Sequence, residues 1–316
     1  MKYKVFIDGK EGTTGLRIYD RIQNREDIEL ITIPEELRKD ISERKKCINA
    51  SDITFLCLPD DAAREAVGLL ENEHTKIIDA STAHRTLENW AYGFPELGDS
   101  FFQKIQSSRY TAVPGCHASG FIAVVYPLLN LGIIDKDYPL CCNSITGYSG
   151  GGKKMIAEYE KMESDLLKAP RQYGMGQTHK HLKEMKKITG ILQEPIFQPI
   201  VSSFYSGMVV SIGLHTSLMK RHLGAAELQG IFKDYYKNQP LIQVMPYLEK
   251  GTESGFLSAL ELSGYDNMRI YVNGNENRIS LSCVYDNLGK GASGAAIECM
   301  NIMLGLNPIT GLQIKE

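Results

Sequence analysis

The opening of the chain leaves few folds available to it. Tyr3–Asp8 reads YKVFID, a β-rich run, and GKEGTTG follows at once, setting Gly9, Gly12 and Gly15 in the spacing GxxGxxG. Next come an amphipathic stretch, LRIYDRIQN, and a second β-rich run, IELITI. Strand, glycine turn, helix and strand in that order open a doubly wound parallel sheet. The pattern recurs. SDITFLCLP reads as a buried strand, DDAAREAVGLLEN as a helix capped by Asp60 or Asp61, and TKIIDAST and YTAVPGC as further strands.

Beyond Cys116 the texture changes. A helix is predicted over about His117–Leu131, followed by β-rich segments at LCCNSITGYSG, IFQPIVSSFYSGMVVSIGLHTSL and NRISLSCVYDN. Longer strands with fewer helices between them predict a second, mixed α+β domain. The tail KGASGAAIECMNIMLGL has helical periodicity and should pack back on the first domain, whose parallel sheet needs both faces covered. The expected fold is therefore α/β. A Rossmann-type domain spans residues 1–116 plus 286–316, and an α+β domain spans 117–285.

A glycine turn at a helix start lets backbone N–H groups approach a pyrophosphate, so Gly9, Gly12, Thr13, Thr14 and Gly15 are candidates to bind a dinucleotide. A tight turn with packing glycines is the plainer alternative. Glu35 lies where an acidic residue would bond a ribose 2′-hydroxyl, but Pro34 intervenes. Arg38 and Lys39 in EELRKD suit a 2′-phosphate, which makes NADP the expected cofactor, unless both simply face solvent. GYSGGGKK nearly matches the phosphate loop GxxxxGK[ST]. Lys154 stands where a hydroxyl must bind magnesium, which argues against a nucleotide triphosphatase. The loop's amides could still meet another ligand.

Thirty-five basic against 38 acidic side chains give no footprint for nucleic acid or an anionic membrane. The longest apolar run, near Phe121–Leu131, is too short to span a bilayer, and the N-terminus reads as the start of a fold rather than a signal peptide. Small molecules and copies of the chain itself are the expected partners. The seven cysteines are odd in number, with no CxxC and no zinc spacing, so free thiols in a cytoplasm are expected and a metal is not.

One cysteine differs from the rest. AVPGCHASG puts Cys116 between glycines where a strand gives way to a helix, and a helix start favours thiolate over thiol. Cys47, Cys57, Cys141, Cys142, Cys283 and Cys299 lie within strand or helix patterns and are expected in the core. A thiolate needs a proton partner. His74 and His222 read as surface, His215 alternates in a strand as a core residue would, and His117 should cap the helix or support the site from behind. In QTHKHLKEM, His179 and His181 are polar and adjacent to the glycine-rich YGMG. Without a third ligand nearby, acid/base and substrate contact suit them better than metal.

Taken together, IDGKEGTTGLRI, DASTAHR, YGFPEL, PGCHASGF, GYSGGGKKMI, HKHLKEM and YDNLGKGASGAA closely resemble the short-form N-acetyl-γ-glutamyl-phosphate reductases of arginine biosynthesis, relatives of the aspartate-semialdehyde dehydrogenases. The resemblance runs almost end to end. It implies an NADP-binding domain and an α+β catalytic and dimerisation domain, an acyl-phosphate substrate, and a homodimer or homotetramer. It also implies roles: Cys116 as nucleophile, His179 as acid/base, and His181, Arg85 and Ser81 at the substrate, with Glu96 ordering the site. Ser149, Gly150 and Asn287 would line the nicotinamide. The chain departs from that pattern in lacking the proline that commonly follows the histidines; Lys183 precedes Glu184 instead. Aspartate-semialdehyde dehydrogenase chemistry, reduction of a related acyl phosphate, and a non-catalytic NADP-binding regulator are the competing expectations.

Overall fold

The computed structural model describes residues 2–316. The chain divides into two compact units. One runs to Pro114 and resumes over Ala292–Leu312; the other holds Gly115–Gly291 and Gln313–Glu316. The crossing falls at Pro114 rather than Cys116 because Cys116 already belongs to a helix of the second unit. The last four residues return to that unit through bonds such as Asp266 N–H to the Gln313 carbonyl, 2.7 Å.

In the first unit, strands β1 (Tyr3–Asp8), β2 (Ile28–Ile31), β3 (Ile53–Leu56), β4 (Lys76–Asp79), β5 (Ala91–Tyr92) and β6 (Tyr110–Ala112) form a sheet ordered β2-β1-β3-β4-β6-β5. Every pairing is parallel. Helices α1 (Thr13–Ile22), α2 (Ile41–Ala50), α3 (Asp60–Gly68) and α4 (Asp99–Ser107) alternate with the strands. Successive side chains of β1 point to opposite faces, so Val5 and Ile7 enter one apolar cluster and Phe6 another. The residue before α3 is Pro59, not Asp60 or Asp61; the Asp60 carboxylate instead takes the Thr82 N–H and hydroxyl.

In the second unit, β7 (Cys141–Gly147), β8 (Arg171–Gln172), β9 (Ile196–Ser202), β10 (Met208–His215), β11 (Ile242–Val244), β12 (Met268–Gly274) and β13 (Arg278–Tyr285) make a mixed sheet ordered β11-β12-β13-β10-β7-β9-β8. Helix α5 (Cys116–Asn130) packs on β10 and β13 and against α7 (His181–Thr189), while α6 (Gly152–Lys161) and α8 (Ala225–Tyr236) complete the unit. His215 is exposed, contrary to the core position its strand pattern suggested. It ends β10 opposite Arg278, on the sheet face that α5 does not cover, while Leu214 takes the buried side. Of the six cysteines expected in the core, Cys142, Cys283 and Cys299 are buried. Cys47, Cys57 and Cys141 are only partly covered, lying near element ends or on a half-open face.

The chain returns to the first unit as α9 (Gly294–Met303), after a π-type turn at Gly289–Ser293. Ala295, Ala296, Cys299 and Met300 join the cluster of Val5, Ile7 and Phe55, covering that face of the parallel sheet.

Candidate active site

Gly115 precedes α5 in an extended conformation (φ −72°, ψ 142°), and Cys116 is the first helical residue. The first-turn N–H groups of a helix reach no carbonyl of their own and carry its positive dipole end, so a sulfur here is favoured as thiolate. Cys116 is also partly accessible. The Gly115 N–H, just outside the helix, donates to Glu184 Oε1 at 2.7 Å. From β13, the Tyr285 hydroxyl donates to the Cys116 carbonyl (2.5 Å) and accepts the Gly120 N–H (2.9 Å). It thus bridges the two groups that an undisturbed α-helix would pair directly. Gly120 makes room for this: a Cβ there would stand 2.7 Å from Val210 Cβ and 2.8 Å from the Tyr285 hydroxyl.

The rings of His117, Tyr173, His179, His181 and Phe197 cluster at this turn. His117 is 2% exposed, its Nδ1 2.6 Å from Ser144 Oγ and its Nε2 2.7 Å from the Tyr173 hydroxyl. Burial, reinforced by the nearby charge of His179, pulls its pKa down to about 3, so the ring is neutral and supports the site from behind. His179 is half-buried and stands edge-on to His181, centroids 4.7 Å apart, and 5.6 Å from His117. The His181 N–H points to the His179 Nδ1 at 3.2 Å. Buried His181 begins α7, and the absent proline is not needed to start that helix. Tyr173 reaches the same cluster; burial, then the charge of Cys116, push its hydroxyl pKa up. Among the described residues no three His, Cys, Asp or Glu side chains gather as a metal site requires.

A second group in this unit joins Ser149, Gly150 and Asn287. Asn287 Nδ2 donates to Ser149 Oγ (3.0 Å), and its Oδ1 accepts the Gly207 N–H (2.9 Å). The amides of Tyr148 and Ser149 bond the carbonyls of Phe204 and Tyr205, so the first amides of the glycine loop are used within the fold.

The first unit holds the remaining candidates. Gly9 has φ +85°, and a Cβ on it would lie 2.4 Å from the Cys57 carbonyl oxygen; one on Gly15 would lie 2.5 Å from that of Gly9. These two glycines make the turn tight, while Gly12, with no side chain, caps α1 and exposes the backbone ahead of Thr13 and Thr14. The geometry fits a dinucleotide's pyrophosphate. Arg38 and Lys39 are exposed after β2, Arg38 3.2 Å from Glu35. Beyond β4, buried Asp79 accepts the Ser81 hydroxyl (2.7 Å) and faces His84 Nδ1 (2.6 Å), and His84 stacks on Trp90. Arg85 donates to the carbonyls of Val113 (2.8 Å) and Ala80 (3.0 Å). Glu96 is buried on a short 3₁₀ turn, Pro95–Leu97.

The structure thus gathers Cys116, His179 and His181 around His117, and Ser149 and Gly150 around Asn287. Sequence reasoning missed Asp79, His84, Tyr173, Glu184 and Tyr285. One signal was available for Glu184: it sits between Leu182 and Met185, on the buried stripe of an amphipathic helix.

Residues 4–105 match the family model described as the semialdehyde dehydrogenase NAD binding domain, and residues 116–287 match its dimerisation domain. The chain is 42% identical over 320 residues to N-acetyl-gamma-glutamyl-phosphate reductase 2 of a Nostoc species, covering 98% of this chain and 99% of that one. It is 43% identical over 310 residues to the Brucella ovis N-acetyl-gamma-glutamyl-phosphate reductase, covering 96% and 100%. Its fold resembles aspartate semialdehyde dehydrogenase II of Vibrio cholerae, complexed with ASA (TM-score 0.70, 15% identity, 96% and 99% covered), and the Francisella tularensis aspartate semialdehyde dehydrogenase (TM-score 0.71, 14% identity, 96% and 100% covered).

Proposed function

The chain belongs to the N-acetyl-γ-glutamyl-phosphate reductases of the semialdehyde dehydrogenase family, and from that membership we propose how its residues divide the work. The enzyme is an oxidoreductase that converts N-acetyl-γ-glutamyl phosphate to N-acetylglutamate semialdehyde and phosphate in arginine biosynthesis, with a nicotinamide cofactor. The observation that carries the residue assignment is a helix-first cysteine sharing one cluster with two histidines.

In this reading the Cys116 thiolate attacks the acyl carbonyl, the carbon–oxygen bond to phosphate breaks, and phosphate leaves with the electron pair. The helix start aligns the sulfur and favours its charge. Arg85, already fixed by two carbonyls, binds the phosphate through a planar guanidinium, with Ser81 and Glu96 supporting that region. The product on Cys116 is a thioester. A nicotinamide cofactor, when bound, supplies the hydride that brings this carbon to the aldehyde level. His179 holds the proton that neutralises the adduct's oxygen, then takes it back as the carbon–sulfur bond breaks and the thiolate returns. His181 contacts the substrate beside it.

Gly9, Gly12, Thr13, Thr14 and Gly15 hold the pyrophosphate; Ser149, Gly150 and Asn287 line the nicotinamide. We assign NADP as the cofactor. Arg38 and Lys39 favour a 2′-phosphate, and the exposed Glu35–Arg38 pair is weak enough for a phosphate to displace. The relevant compartment is the cytoplasm, in keeping with seven free cysteines; no helix among the described residues is long and apolar enough to cross a membrane. The assembly is a homodimer or homotetramer. Supporting this, the matched second domain is described as one of dimerisation, and Ile145 and Ile196 are exposed on the neighbouring strands β7 and β9.

The test is the reverse reaction. NADP⁺ reduction by N-acetylglutamate semialdehyde should require phosphate, exceed that with NAD⁺, and vanish in Cys116→Ser while NADPH binding persists. Faster turnover of aspartate semialdehyde would reassign the substrate, and normal turnover by Cys116→Ser would remove the thioester.

A further inference from the structure

We propose that Glu184 is a positioning residue. Its carboxylate ties the turn that carries Cys116 to the helix that follows His179, and so fixes sulfur against imidazole. The inference rests on the reading of Cys116 and His179 as the reacting pair.

Glu184 lies one turn into α7 and is 1% exposed, with buried Leu182 and Met185 beside it. Its Oε1 accepts the Gly115 N–H at 2.7 Å, across 69 residues of sequence. At the start of the same helix, the His181 N–H is given to His179 Nδ1. One rigid element therefore holds the residue before the nucleophile through Glu184 and the acid/base ring through its first amide. A shift in the seat of α7 would move the imidazole relative to the sulfur.

The choice of donor matters. Gly115 is the residue before the helix, so its N–H lies behind the amides of Cys116, His117 and Ala118; the Ser119 N–H to Gly115 carbonyl bond, 2.9 Å, is where the helical ladder begins. Glu184 thus anchors the turn without occupying the amides of Cys116, His117 or Ala118, which favour the thiolate. A negative charge at this helix start opposes charge on the sulfur. The useful property of Glu184 is therefore its acceptor oxygen at the end of a side chain of this length, and not its charge.

That conclusion predicts an unusual ranking. Glu184→Gln keeps the reach and the acceptor oxygen but removes the charge. Glu184→Asp keeps the charge but withdraws the oxygen by one methylene. The measurements are kcat, KM, NADPH affinity and melting temperature for both variants and for Cys116→Ser. Glu184→Gln should keep kcat within about threefold of the unsubstituted enzyme. In Glu184→Asp, kcat should fall about 100-fold, the penalty typical of a misplaced reacting group. KM and NADPH affinity should stay within about threefold, because ground-state binding is untouched. Any other ranking of the two variants overturns the proposal, including both active or both inactive. Normal turnover by Cys116→Ser would instead overturn the assignment of the nucleophile, so the two failures are distinct.

Discussion

His117 and His179 carry the same side chain with ring centres 5.6 Å apart, yet their surroundings suit them to opposite duties. Both nitrogens of His117 are engaged, by Ser144 and Tyr173, in a site closed to water. Its folded pKa of about 3 lies below the ordinary histidine value of 6.5. As pH falls, the unfolded chain takes the proton first. The stability contributed by a neutral His117 is therefore complete above about pH 6.5 and lost as pH falls toward 3, at about 1.4 kcal/mol per pH unit. Urea unfolding between pH 7 and 4 should show this slope, and His117→Gln should remove about that much of it; an unchanged slope would mean that the ring is not held neutral. The His179 ring, by contrast, is only half-buried. His179→Asn should lower kcat by about 10²–10⁴-fold, the usual worth of a general acid/base, with the melting curve little changed. A variant that simply unfolds would identify His179 as a structural residue.

Helix α5 shows how an element can be legible while its key contact is not. A glycine-flanked cysteine before a long apolar run marks its start, and strands β1, β3, β10 and β13 stand out by β-rich composition. By contrast α2, ISERKKCINA, buries only Arg44 and Ile48, so its sequence carries almost no apolar stripe. Two-residue strands such as β5 and β8 are too short for any period to register. The contacts that shape the site escape for another reason: the Gly115–Glu184 and Gly120–Tyr285 bonds join residues 69 and 165 positions apart, and no local pattern encodes such a pairing. Gly120 puts this to a test of sign. In an exposed helix, replacing glycine by alanine gains about 1 kcal/mol of stability. Here the new methyl would meet Val210 and the Tyr285 hydroxyl at under 3 Å, and overpacking of that kind costs about 1–3 kcal/mol. Gly120→Ala should therefore lower the urea midpoint, and a more stable variant would show that the Tyr285 bridge yields easily.

At the scale of the whole chain, the first unit is assembled from two stretches far apart in sequence, and its sheet exposes two apolar faces to be covered. Val5, Ile7 and Phe55 need α9 on one side; Phe6, Leu56 and Ala63 share the other with Trp90. Trp90 is the only tryptophan in the sequence, 5% exposed and stacked on His84 at 4.0 Å. Its emission therefore reports the face that α9 does not touch. If the sheet folds as one cooperative body, uncovering one face must expose the other as well. A chain ending at Gly291 should accordingly show red-shifted Trp90 emission and fail to bind NADPH. Residues 2–114 joined through a flexible linker to 292–312 should restore blue-shifted emission and a single unfolding transition. Should Trp90 stay buried without α9, the two faces would be independent, and the strands packed around Trp90 would form a core that needs no help from the end of the chain.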